Sequence, residues 1–207
     1  MISEPVDGRV WQLFAELLDY PRANPAHAAA DCSGLVAGRS AEAAALMREF
    51  AAFAERTPLA QLEEVYTGLF ELDATCHPYI GYHLFGESYK RSAFLLALKE
   101  RYRAHGIQSG VELEDHLALV LRYLAAIDSA PEVEEMTGTA LHPALRKMLK
   151  NNEEEPPDPS IPKVQTQGDE YRRVLQALRL VLLTIAPDDM PAMAETPAED
   201  LLPMAAD

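Results

Sequence analysis

Cysteine is scarce in this sequence, which contains only Cys32 and Cys76 among its 207 residues. Two isolated cysteines, neither of them in a C-x-x-C pair, exclude a disulfide framework. We expect both thiols to be buried or chemically inert, because a reactive thiol needs an electropositive and partly exposed setting.

Long apolar runs are also missing. No stretch approaches the roughly 20 apolar residues that a membrane-spanning helix needs. The N-terminus has no basic region followed by an apolar segment, so it does not resemble a secretory signal. These two absences predict a cytoplasmic protein without stable membrane insertion.

Basic residues are few. Lys and Arg total 18, whereas Asp and Glu total 33, and the net charge is -15. Nucleic-acid binding needs clustered Lys and Arg to neutralise phosphates, so a nucleic-acid partner is not expected. The electrostatic field of this negative net charge would attract a basic peptide or a basic protein segment. Much of the excess lies in residues 153–158 and 188–207, so the remaining body is only mildly acidic.

The alternating pattern of β-strands is absent, and apolar residues instead recur at steps of three and four. The sequence therefore predicts an all-α, single helical-bundle domain of about eight helices over residues 1–186. Residues 153–162, E-E-E-P-P-D-P-S-I-P, are too rich in proline and acid for a core element and predict a solvated linker before the last helix. Residues 187–207 predict an acidic, disordered C-terminal tail.

The segment Val111–Ile127 combines a helical apolar stripe with a polar front end. Leucines, Val120 and Ile127 form the stripe, and Glu112, Glu114, Asp115 and His116 precede it. Acidic residues suit the first turn of a helix because the helix N-terminus carries partial positive charge. The simplest interpretation is one core helix from Val111 with a charged first turn.

Catalytic motifs are lacking. The sequence has no G-x-S-x-G nucleophile and no glycine-rich phosphate loop. One alternative is a small hydrolytic or metal-dependent enzyme that uses Asp115 and His116. Adjacent helical residues point about 100° apart, however, so the two side chains are not placed for a mutual hydrogen bond. A second alternative is a metal site at Cys76, His77 and His83, whose spacing is looser than that of a usual zinc site.

Three motifs stand in order between residues 60 and 125. Residues 66–70, Y-T-G-L-F, match a Y-x-x-L-F signature, and residues 112–116, E-L-E-D-H, are similar to an E-x-P-D-H signature in which Glu114 replaces the usual proline. Residues 85–92, F-G-E-S-Y-K-R-S, resemble an H-G-E-S-x-x-R segment. In this order the motifs resemble the TorD/DmsD/NarJ family of molybdoenzyme assembly chaperones, and most of all its nitrate-reductase (NarJ-like) branch.

The resemblance implies a non-enzymatic, system-specific chaperone without a cofactor of its own. Such a protein binds the apo catalytic subunit of a molybdopterin-dependent oxidoreductase, often through its N-terminal leader peptide, until the molybdenum cofactor is inserted. The client would be a nitrate reductase. The alternative client is a selenate, chlorate, dimethyl sulfide or ethylbenzene dehydrogenase-type enzyme. A monomer and a domain-swapped dimer both remain open.

The resemblance also assigns residues. It places Asp115 and His116 in the leader-binding region, together with Glu112 and the neighbouring Glu114. The aromatic loop before Ser88 is more apolar than a solvated loop requires, so we expect it to join the Val111 segment in one groove. The expected client-binding aromatics are Tyr79, Tyr82 and Phe85. The family-motif residues with an expected structural role are Tyr66, Leu69, Phe70, Gly86, Glu87 and Ser88.

Overall fold

The structure is a computed structural model and describes residues 5–72, 76–150 and 169–195. These residues form helices and loops without a β-strand, which confirms the all-α prediction. The helices are α1 (Gly8–Leu17), α2 (Ala26–Val36), α3 (Ala41–Glu55), α4 (Leu59–Thr67), α5 (Ile80–Phe85), α6 (Tyr89–Ala104), α7 (Leu117–Ala126), α8 (Ala130–Met136), α9 (His142–Lys150) and α10 (Asp169–Leu182). None of the described helices is long and apolar enough to cross a membrane.

Two π-helical turns interrupt the regular helices. Gly68–Leu72 extends α4, and Thr137–Leu141 joins α8 to α9 without a break. Counted as continuous runs, the described ranges therefore contain nine helices, close to the predicted number. π-Helical turns often lie at functional sites.

Local side-chain chemistry sets several helix ends. The Asp7 carboxylate accepts a hydrogen bond from the Arg9 N–H at 2.8 Å and caps α1. Ser40 Oγ accepts from the Ala43 N–H at 3.1 Å and caps α3. Each cap satisfies a backbone donor that would otherwise lack a partner in the first turn. Gly106 follows α6 with a φ of 68°, a conformation that favours glycine.

The core is built by stacking apolar helix faces. α3 packs against α2 and α10, and α1 packs against α7. Tyr171 of α10 lies at the centre of an aromatic cluster, with ring centroids 5.0 Å from Phe50, 5.5 Å from Tyr66 and 5.8 Å from Phe70. These edge-on contacts join α3, α4 and α10, so the Y-x-x-L-F segment lies at the junction of three helices.

Both cysteines are buried thiols, as predicted. Burial raises the pKa of Cys32 to about 12. At neutral pH this thiol is therefore protonated and a poor nucleophile.

The prediction of one helix from Val111 is wrong at its front end. α7 begins at Leu117, and residues 111–116 form turns, with the His116 backbone extended at φ -64° and ψ 128°. The reason is tertiary. The backbone around Asp115 hydrogen-bonds to a segment more than 30 residues earlier instead of starting a helix.

The prediction of an aromatic loop before Ser88 is also incomplete, because the short helix α5 lies within it. Gly86 ends this helix with a φ of 61°. Its short length leaves little periodic signal in the sequence, since strong periodicity needs a window of 11 residues or more.

The first nine residues of the predicted C-terminal tail lie within the described part of the chain. Residues 187–195 pack against the helical body and include a short 3-10 turn, Met193–Glu195. The predicted linker at 153–162 and the remainder of the predicted tail, 196–207, lie outside the described residues.

Candidate functional site

The aromatic segment before α5 and the acidic segment before α7 meet through their backbones. The Ile80 N–H donates to the Asp115 carbonyl at 2.9 Å, and the Leu117 N–H donates to the Pro78 carbonyl at 2.7 Å. These bonds pair Tyr79 with His116 in a single antiparallel bridge. The aromatic segment before α5 and the acidic segment before α7 therefore form one unit.

Asp115 lies beneath this unit and is fully buried. Its Oδ2 accepts a hydrogen bond from Arg91 Nε at 2.9 Å, and its Oδ1 accepts from Arg91 Nη2 at 3.3 Å. A buried carboxylate requires such a partner, because an unpaired charge in the interior costs on the order of several kcal/mol of stability. Asp115 thus holds the segment in place and has no oxygen directed at His116.

Arg91 was not among the residues predicted for the site. Its guanidinium carbon lies 5.8 Å from the Tyr79 ring centre and 5.9 Å from the Tyr82 ring centre. Arg91 therefore binds the buried carboxylate and also faces two of the predicted aromatic residues. The signal for it was present in the sequence, since Arg91 is the arginine of the segment that resembles H-G-E-S-x-x-R.

Gly81 allows α5 to lie directly on Asp115. A Cβ at position 81 would lie 2.6 Å from Asp115 Oδ2 and 3.1 Å from Phe94 Cδ1. No side chain fits at these distances. The absence of a side chain at this position lets the aromatic segment approach the buried ion pair.

His116 is nearly buried, with 4% of its surface exposed. Its ring lies edge-on to Tyr79, with 5.4 Å between ring centres. Burial lowers the pKa of His116 below its usual value, although the nearby Glu112 and Asp19 carboxylates oppose this shift. The imidazole is therefore neutral at pH 7 and supports the Tyr79 ring.

The outer edge of the unit is acidic and aromatic. The Tyr79 hydroxyl donates to Glu112 Oε2 at 2.8 Å. Partial burial and this hydrogen bond raise the pKa of Tyr79 to about 12. Glu112 is exposed, whereas Tyr79, Tyr82 and Glu114 are half-buried. We call the set Tyr79, Tyr82, Phe85, Glu112 and Glu114 the tyrosine–acid rim.

Glu114 also anchors the rim from below. Its carbonyl accepts a hydrogen bond from the Tyr102 hydroxyl at 2.7 Å, and its Oε1 lies 3.5 Å from Ser109 Oγ. The substitution of the family's usual proline by Glu114 therefore adds a carboxylate to the surface and leaves the Asp115 pairing intact.

A cleft of about 310 Å³ lies at the end of α1 and includes Asp19, Tyr20 and Arg122. The Asp19 carboxylate opposes the lowering of the His116 pKa, whereas the Arg122 charge favours it. Asp19 and Arg122 form an ion pair with each other.

The turn between α5 and α6 positions Arg91 in the first turn of α6. The Gly86 N–H donates to the Tyr82 carbonyl at 2.8 Å and closes α5. Ser88 precedes the first residue of α6, and its carbonyl accepts from the Arg91 N–H at 3.0 Å. Glu87 is exposed in this turn.

The structure buries the Y-x-x-L-F residues in the core. Tyr66, Leu69 and Phe70 each expose 3% of their surface or less. The Tyr66 hydroxyl donates to the Leu18 carbonyl at 3.2 Å, and burial is the main reason that its pKa is raised. These residues support the body behind the site and do not line its surface.

The alternative metal site is not assembled. His83 Nε2 lies 2.8 Å from the His77 carbonyl, and His77 Nδ1 lies 3.3 Å from the Phe70 carbonyl. The two rings thus contact backbone oxygens instead of converging with Cys76. Within the described ranges, no group of three His, Cys, Asp or Glu residues could hold a metal ion.

Comparison with known proteins agrees with these motifs. The sequence profile of the nitrate reductase delta subunit family matches residues 37–154, which include every residue of the tyrosine–acid rim. No curated protein matches the chain.

A solved structure supports the fold. A protein of Archaeoglobus fulgidus, described as a redox enzyme maturation protein, superposes with a TM-score of 0.54 over 85% of this chain and 93% of its own length. The two sequences are 20% identical, so the likeness concerns the fold alone. The family match confirms the prediction of a non-enzymatic maturation protein. The chain belongs to the nitrate reductase delta subunit family and is a molybdoenzyme maturation chaperone.

Proposed function

We propose that this chaperone binds the N-terminal leader of the apo catalytic subunit of a nitrate reductase and assists insertion of the molybdenum cofactor. The observation that carries the proposal is the backbone bridge between Tyr79 and His116. This bridge makes one surface from the aromatic segment before α5 and the acidic motif before α7, which are far apart in the sequence.

The rim suits the chemistry of a leader peptide, which is basic at its start and apolar after it. The exposed carboxylate of Glu112 and the half-buried Glu114 offer negative charge. The half-buried rings of Tyr79, Tyr82 and Phe85 offer apolar surface beside it. Charge complementarity steers such a peptide, and aromatic contacts retain it.

Asp115 and His116 would act differently from the rim residues. Both are buried, and Asp115 is paired with Arg91. In this proposal they position the Tyr79 and Glu112 side chains and do not themselves contact the leader.

The proposed setting is the cytoplasm, where the apo subunit would be held before export or membrane docking. The second possible client is a selenate, chlorate, dimethyl sulfide or ethylbenzene dehydrogenase-type enzyme, which carries the same cofactor.

The test is a pull-down from the native host during anaerobic growth with the client operon expressed, with the tagged full-length chain as bait. Recovery of a nitrate reductase catalytic subunit without its cofactor would support the proposal. Recovery of the catalytic subunit of another molybdoenzyme would instead identify the second possible client as the correct one. The leader of the recovered subunit, made as a synthetic peptide, should then bind the purified chaperone in calorimetry. Repeated recovery of no such subunit would overturn the proposal.

A further inference from the structure

The nine residues after Ala186 run back across the helical body. We call residues 187–195 the strap. At its start, Asp188 Oδ2 accepts from Arg179 Nη2 at 2.7 Å, and Oδ1 lies 3.5 Å from Arg146 Nε. At its end, the Ala194 carbonyl accepts from Lys90 Nζ at 2.9 Å. Cations of the body therefore hold both ends of the strap.

The middle of the strap is apolar. Met190 packs directly on Gly138 in the π-helical turn between α8 and α9. A Cβ at position 138 would lie 3.0 Å from Met190 Cγ and 3.2 Å from its Cβ, and closer still to its sulfur. Met193 exposes 8% of its surface and joins the main apolar core. The surface beneath the strap thus has cationic ends and an apolar middle.

The strap also reaches the candidate site from the side. Its 3-10 turn lies beside α5, the helix that carries Tyr82 and Phe85 of the tyrosine–acid rim. α5 is tied to α9 as well, because Lys147 Nζ donates to the His83 carbonyl at 2.6 Å. The strap and the rim therefore share one short helix.

The contacts that hold the strap on the helical body are of a kind that allows the strap to detach. Its ion pairs involve Arg146 and Arg179, whose side chains are 46% and 35% exposed, and pairs of this kind contribute little individually. Asp188 Oδ1 also lies 3.8 Å from Nδ1 of the buried His142, but burial lowers the pKa of this histidine, so the ring carries no charge at pH 7. Its apolar contacts come from methionines, whose flexible side chains pack against varied surfaces. Segments with few deep contacts open more readily than core helices.

We infer that the surface beneath the strap is a second client-binding surface, which the strap occupies in the free chaperone and which a client segment takes over. The segment that fits is extended, with an acidic residue followed by apolar side chains, as in Asp188, Met190 and Met193. It differs from the basic leader because the anchors here are Arg179, Arg146 and Lys90. The inference rests on the proposed function, since it assumes a protein client.

The first test uses the full-length Gly138→Ala variant. The added methyl group would displace Met190, while alanine suits a helix better than glycine. Gly68→Ala is the matched control, because Gly68 also lies in a π-helical turn and its Cβ would meet nothing within 4 Å. The probes are the apo catalytic subunit recovered in the pull-down and its leader as a synthetic peptide.

We expect Gly138→Ala to lose hydrogen-exchange protection over residues 188–195. Its affinity for the apo subunit should rise about threefold to tenfold if the strap covers the surface for about two-thirds to about nine-tenths of the time. Affinity for the isolated leader should stay unchanged, because the leader binds the rim. Gly68→Ala should change neither measurement.

Gly138→Ala could also act by changing the π-helical turn itself. A second pair of variants therefore tests release of the strap without a substitution in that turn. Met193→Asp places a carboxylate where the strap is buried and should release it, whereas Met193→Leu should keep it docked. Both changes leave the body helices untouched.

The outcomes separate the two proposals. A released strap with unchanged affinity for the apo subunit would overturn the second surface, and so would a strap that stays docked in both Gly138→Ala and Met193→Asp. If the wild-type chain bound neither the subunit nor its leader, the proposed function itself would fail, and the inference with it.

Discussion

At the scale of single residues, the Asp115–Arg91 pair decides the geometry of the site. The carboxylate is fully buried, and the arginine keeps 18% of its side chain exposed. The resemblance implies that Asp115 lies in the leader-binding region, and the structure buries it beneath the tyrosine–acid rim. A residue at the centre of a motif can thus act through the segment that it holds.

Replacing Asp115 with Asn should lower the free energy of unfolding by about 3 kcal/mol, because the change leaves the Arg91 charge without its buried partner. Urea unfolding at neutral pH measures this. The control is Glu100→Gln, which removes an exposed pair with Arg103 and should cost less than about 1 kcal/mol. Equal effects of the two substitutions would contradict the buried role of Asp115.

Gly81 permits the close approach of α5 to this pair. Gly81→Ala should destabilise the fold by about 1–3 kcal/mol, since its Cβ would overlap a buried carboxylate that cannot move away. The comparison is Gly68→Ala, in open space, which should be neutral or slightly stabilising. Thermal unfolding of both variants checks the difference. A Gly81→Ala variant as stable as Gly68→Ala would exclude a need for glycine at position 81.

At the scale of elements, the rim depends on three segments: the bridge before α5, the turns before α7, and the start of α6. Each contributes a different group, respectively Tyr79, Glu112 and Arg91. The Tyr79–Glu112 hydrogen bond crosses between two of them, so the surface exists only when α5 is docked.

Glu112→Gln should weaken leader binding by about threefold to tenfold and reduce its dependence on ionic strength, because it removes a charge but keeps a hydrogen-bond acceptor for Tyr79. Calorimetry at two salt concentrations measures both effects. Glu55→Gln, an exposed acid at the end of α3, is the matched control and should change neither. An unchanged affinity in Glu112→Gln would remove the rim from the leader site.

At the scale of the whole molecule, buried histidines in different elements link stability to pH. Burial is the main reason that the pKa values of His83, His116 and His142 are lowered from 6.5. Each ring stays neutral in the folded chain while the unfolded chain takes up a proton near pH 6.5. This contribution to stability is therefore fully present above pH 6.5 and is lost as the pH falls toward the lower folded values.

We expect the free energy of unfolding to decrease between about pH 7.5 and about pH 5.5, by at most about 1.4 kcal/mol per pH unit for each histidine. Urea unfolding across this range measures the slope. His116→Gln should make the slope shallower, because it removes one of the groups whose pKa is lowered in the folded chain. A steeper slope in His116→Gln would contradict the lowered pKa of His116.

The local pattern of the sequence was sufficient to predict the fold class. The three- and four-residue spacing of apolar side chains predicted the helical body, and the short motifs predicted the family that the comparison shows. It also predicted that the aromatic and acidic segments belong together. It failed at the start of α7, where long-range backbone bonds override the local preference of the acidic turn, and at α5, which is too short to give a periodic signal.

The sequence by itself determined the helices, the acidic charge and the motif residues, because these follow from side-chain chemistry and from neighbours within one or two turns. Only the tertiary structure decided that Asp115 is buried, that Arg91 completes the site and that residues 187–195 pack beside α5. These pairings join residues 24 to more than 100 positions apart. Such contacts depend on how the helices stack, and local periodicity carries no information about that.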